Sequence, residues 1–361
     1  MTTKISTLRV PLLVMAILTL LAAMWGGLLR MGWIWPPLLL SLPMAHGPLM
    51  VGGFLGTVIG LERAVALGKP WPYAAPLLAG IGALLLMGGW GGPAGALLIT
   101  LGSGVLVMAL IVILRIHVGL DSITIALGGA TWLVGNLLWL AGHGVPQVVM
   151  WWTAFLVLTI AGERLELSRL LRYGRREQTL FGLTVGLILA GLGIMSGLDY
   201  ALGVRVAGAG MLLEALWLLR YDIARRRLKA GGQARFVALA LISGFVWLGI
   251  GGGLALVYGG VMAGPQYDAM LHALFLGYAI SMVFGHAPIV FPAILRLPIT
   301  YAPRFYSHLI LLHAGLILRV VGDLWPWWEG RRWGGMLNVI ALLLFLANTL
   351  YSIAQSRRTQ A

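Results

Sequence analysis

The chain has 361 residues, 60% of them hydrophobic and only 10% charged, with a formal net charge of +14 and a mean hydropathy of +0.94. A water-soluble fold carries about a quarter of its residues as charges, so a soluble enzyme or binding module is excluded. Cysteine is absent, which removes disulfides, thiolate metal sites and Cys-held iron–sulfur clusters and leaves His, Met, Tyr and carboxylates to hold any metal or haem.

Apolar stretches of about 18 or more residues recur from end to end, the length that crosses a hydrocarbon core about 30 Å thick. They lack the alternation of barrel strands: Leu77 to Met87 and Ile340 to Leu346 are almost uniformly apolar. The sequence therefore predicts an all-α polytopic membrane bundle of about twelve transmembrane helices, a single integral membrane domain over 1–361. The segments run over 8–29, 37–61, 73–90, 94–115, 123–141, 148–167, 179–197, 201–219, 235–259, 267–291, 304–322 and 335–354. Pro36, Pro37, Pro72, Pro93, Pro146, Pro265, Pro303 and Pro326 fall near segment ends, where a missing N–H donor is tolerated. The first segment lacks a small-residue cleavage site and is followed by Arg30, so it reads as a retained helix.

Charge tests the count and sets an orientation. With the N-terminus in the cytoplasm, the inner side receives Lys4, Arg9, Arg63, Lys69, Arg115, Arg164, Arg169, Arg172, Arg175, Arg176, Arg220, Arg225, Arg226, Arg227, Lys229, Arg235, Arg296, Arg304, Arg357 and Arg358. The outer side receives Arg30, Arg205, Arg319, Arg331 and Arg332. The positive-inside rule thus places both termini in the cytoplasm, as expected of a multi-pass protein of the bacterial inner membrane. The basic clusters at 164–176 and 220–229 border spans and read as anchors against anionic lipid rather than as a nucleic-acid surface. Trp25, Trp33, Trp35, Trp151, Trp152, Trp325, Trp327, Trp328 and Trp333 gather near outer ends, as an interfacial belt would. No clear internal repeat is present.

A polar ring in hydrocarbon needs a partner, so histidines carry weight here. His117 and His143 fall near segment ends and read as interfacial. His46 lies roughly 14 Å below the outer end of segment 2 at about 1.5 Å per residue, and His272 and His313 share the outer half on segments 10 and 11. His286 and His308 lie near the inner ends of segments 10 and 11, flanking a turn with Pro298 and Pro303. His272 and His286 are almost four α-helical turns apart and are expected to share a face.

Imidazole suits haem iron, copper, zinc and non-haem iron. For the outer layer the readings are bis-His haem, with His46–His272 the first pairing and His46–His313 the second, a non-haem metal, or polar packing along a proton or ion path. For His286 and His308 they are a second haem or metal, interfacial hydrogen bonding, and substrate or lipid contact. Arg319, two turns beyond His313, is matched either to a haem propionate or to Asp323 or lipid headgroups. Glu62, Glu163 and Glu214 near inner ends suit proton paths or salt bridges to neighbouring arginines.

Segment 2 reads PMAHGPLMVGGFLG from Pro43 to Gly56, and His46-Gly47 followed by Met50 resembles the second helix of haem-copper oxidase catalytic subunits, whose histidine binds the low-spin haem. Twelve helices with both ends inside also resembles the core of that superfamily. HALFLGYAISMVFGHAP from His272 to Pro288 and HLILLHAGLILRVVGD from His308 to Asp323 resemble the NnrS family, membrane haem-copper proteins associated with nitric-oxide stress. In the NnrS pattern two histidines separated by one residue precede Glu-Met in segment 2; here Met44 stands first, His46 second, and Gly47-Pro48 follows. There is no His-His pair, no histidine in segments 6 and 7, and no His-x-His in segment 10, so the three-His copper site of the oxidases cannot be assembled from the corresponding helices. The resemblance implies haem b ligated by His46 and His272, with copper or a second haem as further cofactors. It implies a diatomic ligand such as nitric oxide and an electron donor as partners besides membrane lipid, and neither dioxygen reduction nor proton pumping. Turnover is left open. The alternatives are a secondary transporter or ion-conducting protein, with helix interruptions at Gly249 to Gly253 or at Pro288 and Pro292, and a non-catalytic haem sensor or assembly protein.

Overall fold

The computed structural model describes residues 2–90, 92–168, 171, 173–295 and 299–360, with side chains described from residue 8 to residue 356 of these. Arg169, Arg172, Arg296 and Pro298 lie outside the described residues, as do the side chains of Lys4, Arg357 and Arg358. Among the described residues the chain is helical with no strand. Among these residues, twelve helices are long and apolar enough to cross a membrane: α1 Leu8–Arg30, α2 Leu42–Leu67, α3 Trp71–Gly88, α4 Ala94–Ile116, α5 Leu120–Leu140, α6 Val145–Leu167, α7 Arg175–Gly197, α8 Tyr200–Tyr221, α9 Gly232–Tyr258, α10 Pro265–Leu295, α11 Phe305–Leu324 and α12 Trp328–Ser356. The protein is an all-α, multi-pass membrane bundle.

Three boundaries differ from the sequence expectation by five residues or more, one of them the end of α2, at Leu67 rather than 61, where Gly68 closes the helix with a left-handed φ of 67°. Helix α2 begins at Leu42 rather than 37, because Trp33 to Ser41 contains Pro36 and Pro37 and forms no helix. Helix α12 begins at Trp328 rather than 335, since the Trp and Arg residues of its first two turns suit an interfacial helix end as well as a loop.

The chain forms two compact units, residues 1–155 and 156–361. In the first, α1 packs on α2 and α3, α3 on α4, and α4 on α5. In the second, α7 packs on α8, α8 on α9, α9 on α10, α10 on α11, and α11 on α12. Lipid explains which face of each helix turns inward. On α11, Ile310, Ile317 and Val321 are exposed, while His308, Leu312, Leu316, Arg319 and Asp323 are buried. With hydrocarbon outside, apolar side chains need no burial, and polar ones must meet within the bundle.

Two spans depart from α geometry. Helix α2 is π-helical over Leu49–Leu55, just after Pro48, which removes an i→i−4 donor. Helix α10 is π-helical over Ala273–Ile280. Each π stretch begins within three residues of a histidine, His46 in one case and His272 in the other. The second stretch separates His272 from His286, and an i→i+5 ladder winds more loosely than an α-helix. The shared face expected from four α turns is therefore rephased. By contrast, Gly249 to Gly253 and the Pro288 and Pro292 positions, the sequence candidates for interruption, are α-helical.

Close packing in the second unit depends on missing side chains. A Cβ on Gly252 would lie 2.7 Å from the Gly208 carbonyl oxygen and 2.7 Å from the Leu212 amide nitrogen, so α8 and α9 meet backbone to backbone, as small residues permit in membranes. Gly252→Leu is expected to destabilise the bundle by about 1–3 kcal/mol through overpacking. A lowered thermal unfolding midpoint in detergent is the readout, with Gly253→Leu as the control, because nothing lies within 4 Å of a Cβ there.

Candidate functional site

In the first unit, the His46 ring sits against Gly27 of α1, where a Cβ would come within 2.9 Å of Cε1. Its Nδ1 lies 2.7 Å from the Ala23 carbonyl oxygen. A carbonyl only accepts, so Nδ1 carries the hydrogen, and in the neutral ring Nε2 is the lone-pair nitrogen. Met44, two residues before His46, is 82% exposed.

In the second unit, the end formed by the start of α10, the end of α11 and the start of α12 holds a charged network. Asp268 receives a two-pronged contact from Arg319, Nε to Oδ2 at 2.8 Å and Nη2 to Oδ1 at 3.0 Å. Arg331 pairs with Asp323 at 2.8 Å and lies 3.8 Å from Asp268. Arg319 therefore takes Asp268 as its partner, where the sequence offered a haem propionate, Asp323 or lipid headgroups, and Asp323 takes Arg331. The reason is packing: Asp268 faces α11 across the α10–α11 contact, whereas Asp323 is one helical turn from Arg319 on the same helix and turns to α12. Two carboxylates and two guanidinium groups balance, which leaves the Arg319 Nη1 edge as the part of that side chain not engaged by Asp268.

His272 belongs to the same network. Its Nδ1 is 2.9 Å from the Asp268 carbonyl and 3.3 Å from Asp268 Oδ1. This fixes the hydrogen on Nδ1 and gives the ring a carboxylate neighbour, the outer-shell arrangement that orients metal-binding imidazoles and raises their basicity. His286 is held the same way, with Nδ1 2.8 Å from the Met282 carbonyl, and its Nε2 is buried without a hydrogen-bond partner.

His313 and His308 have the opposite tautomer. The indole Nε1–H of Trp247 donates to His313 Nδ1 at 3.0 Å, and an indole can only donate. Asn348 Nδ2 donates to His308 Nδ1 at 3.1 Å. The neutral rings then carry hydrogen on Nε2, which is buried and unpartnered in both. His308 is boxed by Phe284, Phe305 and Phe345, with ring centroids at 4.7, 5.6 and 5.4 Å. Metal binding through Nε2 would require these two rings to exchange tautomer and give up their present bonds.

Among the carboxylates, Glu214 is fully buried and bonded to the Thr184 hydroxyl across α7 and α8, with Oε1 unpartnered. Its partner is a hydroxyl rather than a neighbouring arginine. Tyr278, also fully buried with an unpartnered hydroxyl, stands within electrostatic reach of Glu214. Arg164 pairs with Asp222 of the α8 terminus, 2.8 and 3.0 Å, and not with the adjacent Glu163. His117 and His143 are exposed, as expected for interfacial positions. Among the described residues, no three of His, Asp and Glu converge in a group able to hold a metal ion.

At the opposite end of the second unit, a cavity of about 650 Å³ opens between the start of α7, the end of α8 and the segment leading to α9. Arg220, Arg225, Arg226 and Lys229 line it with Tyr173, Tyr221, Glu177 and Asp222. Its wall is fixed by Trp217, whose Nε1 donates to the Glu177 carbonyl at 2.9 Å and whose ring packs on Tyr173 and Tyr221. Burial pushes the Tyr173 phenol above its ordinary pKa, and the neutral hydroxyl donates to the Tyr221 carbonyl at 3.3 Å.

The sequence did not single out Asp268, Arg331, Trp247, Asn348 or Thr184 as site residues. Only Asp268 had a local signal, its place four residues before His272 on one helix. Trp247, Asn348 and Thr184 stand 66, 40 and 30 residues from their partners, and Arg331 lies on the helix after that of Asp323. Arg164→Met, which strands the buried Asp222 carboxylate, is expected to cost about 3–5 kcal/mol. Arg164→Met combined with Asp222→Asn should recover most of that loss, as thermal unfolding in detergent will register.

No curated protein matches the chain. A family model described as a domain of unknown function (DUF8744) matches residues 9–354. That stretch takes in all of the histidines and nearly every spanning helix, so the chain belongs to the DUF8744 family.

Proposed function

We propose that the protein is a haem-binding membrane redox or nitric-oxide-binding protein, in which His46, His272 and His286 are the imidazoles prepared to meet iron. One observation carries the reading: each of the three donates Nδ1–H to a backbone carbonyl, so the nitrogen that would ligate iron is the lone-pair nitrogen. A haem asks the protein for only one or two axial donors, which suits a donor set without a three-residue cluster among the described residues. Copper as a bare ion is less well matched by that set. The resemblance of the His46, His272 and His308 stretches to NnrS and haem-copper oxidase sequences points the same way. Haem would supply the redox chemistry or the diatomic binding. The chain's own part is to orient imidazoles and, through Asp268, to enrich the electron density of His272. The Arg319 Nη1 edge remains for a carboxylate. The charge bias of the loops supports an inner-membrane orientation with both termini cytoplasmic.

A second reading, an ion- or proton-conducting membrane protein, rests on Glu214 and Tyr278, buried polar groups with unpartnered atoms inside the second unit.

Protein purified in detergent after adequate haem supply is expected to show a Soret band. His46→Ala and His272→Ala should abolish or shift it. His308→Ala and His313→Ala, whose rings present N–H rather than a lone pair, should retain it. Purification free of haem and metal sinks this reading, and proton or ion flux in haem-free proteoliposomes that is lost in Glu214→Gln would establish the second.

A further inference from the structure

We propose that the basic cavity at the α7–α8–α9 end of the second unit binds a phosphate-bearing anion. The site is independent of the haem reading, since no histidine lines it.

Its charge is out of balance. Four cations, Arg220, Arg225, Arg226 and Lys229, face two acids, and one of those acids is already committed. Asp222 accepts both prongs of Arg164 and the Ala224 amide at 2.7 Å. Glu177 is the remaining counter-charge. Arg226 and Lys229 have no acidic partner among the described residues, and the Arg225 side chain donates to a backbone carbonyl, that of Arg220, at 3.1 Å. Like charges gathered around one opening repel, and an anion of matching charge relieves that repulsion.

The shape and chemistry select phosphate among anions. A cavity of about 650 Å³ falls within the range of small-ligand sites, far larger than a halide needs. Several guanidinium forks and an ammonium match the several acceptor oxygens of a phosphate. Arg220 lies over the Tyr221 ring, 5.4 Å from its centroid, a cation–π contact that holds one guanidinium at the wall. The cavity is built from the ends of spanning helices, the level at which lipid phosphates lie. Phosphate can therefore come from an anionic lipid headgroup or from a soluble phosphate compound.

The test uses the full chain in a neutral detergent, with the thermal unfolding midpoint followed during titration by dihexanoyl phosphatidylglycerol, dihexanoyl phosphatidylcholine or sodium pyrophosphate. A saturable rise with phosphatidylglycerol alone identifies a lipid headgroup; a rise with pyrophosphate identifies a soluble phosphate source. In Arg226→Gln/Lys229→Gln the half-saturating concentration should increase about tenfold or more, the scale of losing charge-assisted hydrogen bonds. Arg226→Lys/Lys229→Arg should stay near the parent value, as should Arg175→Gln/Arg176→Gln, whose residues do not line the cavity. Arg226 and Lys229 are exposed, and Lys229→Gln alone gives the same readout with a smaller shift should the double variant fail to fold. The proposal is overturned if phosphatidylcholine acts as strongly as phosphatidylglycerol, if neither phosphate compound moves the midpoint, or if the neutral variants titrate like the parent.

Discussion

The structure depends on one constraint: a polar group that enters hydrocarbon has no water to turn to and must be met by another group of the bundle. This decides where helices stand against one another. Arg164 and Asp222, 58 residues apart, are nearly inaccessible and share two hydrogen bonds. Trp152 donates to Asn136 in the first unit, and Trp247 to His313 in the second. Each such pair fixes a rotation and a depth between helices that interchangeable apolar side chains would leave loose, and glycine lets the backbones close around it.

The same constraint sorts the histidines. A backbone carbonyl beside Nδ1 sets one tautomer, and an indole or carboxamide N–H sets the other. Thus rings that look equivalent by depth differ in what they offer the interior. His46, His272 and His286 present an acceptor nitrogen, whereas His308 and His313 present a donor. His272 has a further distinction, because Asp268 supplies both the carbonyl and a carboxylate to its ring. The donor rings suit a supporting role, such as an N–H directed at an electronegative atom of a bound group.

The twelve spans were legible in the sequence because lipid demands a length and a polarity that few other environments do. The α2 start lies five residues later than the sequence suggests because Leu38 to Leu40 are as apolar as a helix but follow Pro36 and Pro37. The π stretches of α2 and α10 were not legible: their cause lies in backbone registration, and only Pro48 and the adjacent glycines hint at one of them. Histidine positions could be read as candidate ligands, but for His46, His313 and His308 the tautomer could not, since it is set by Ala23, Trp247 and Asn348, each on another helix; for His272 and His286 the carbonyl lies four residues earlier on the same helix. The Arg319–Asp268 pair is hidden from the sequence for a related reason. Proximity along α11 favoured Asp323, while the fold brings Asp268 from α10.

The two ends of the second unit handle charge in opposite ways, and the difference bears on where ligands enter. At the α10–α11–α12 end, Asp268 and Asp323 neutralise Arg319 and Arg331, so an arriving carboxylate must displace a partner or use the remaining guanidinium edge. Such a closed network favours rigidity and a fixed environment for His272. At the α7–α8–α9 end, Arg164 consumes the carboxylate of Asp222, and the cavity cations are left in excess. An arriving anion there displaces only water and relieves repulsion. Screening by salt weakens long-range attraction to such an exposed site, yet several short contacts made together persist. Rigid balance beside the imidazole and unsatisfied charge at the far end are therefore two outcomes of one rule about pairing, applied to groups that hydrocarbon surrounds and to groups that water can reach.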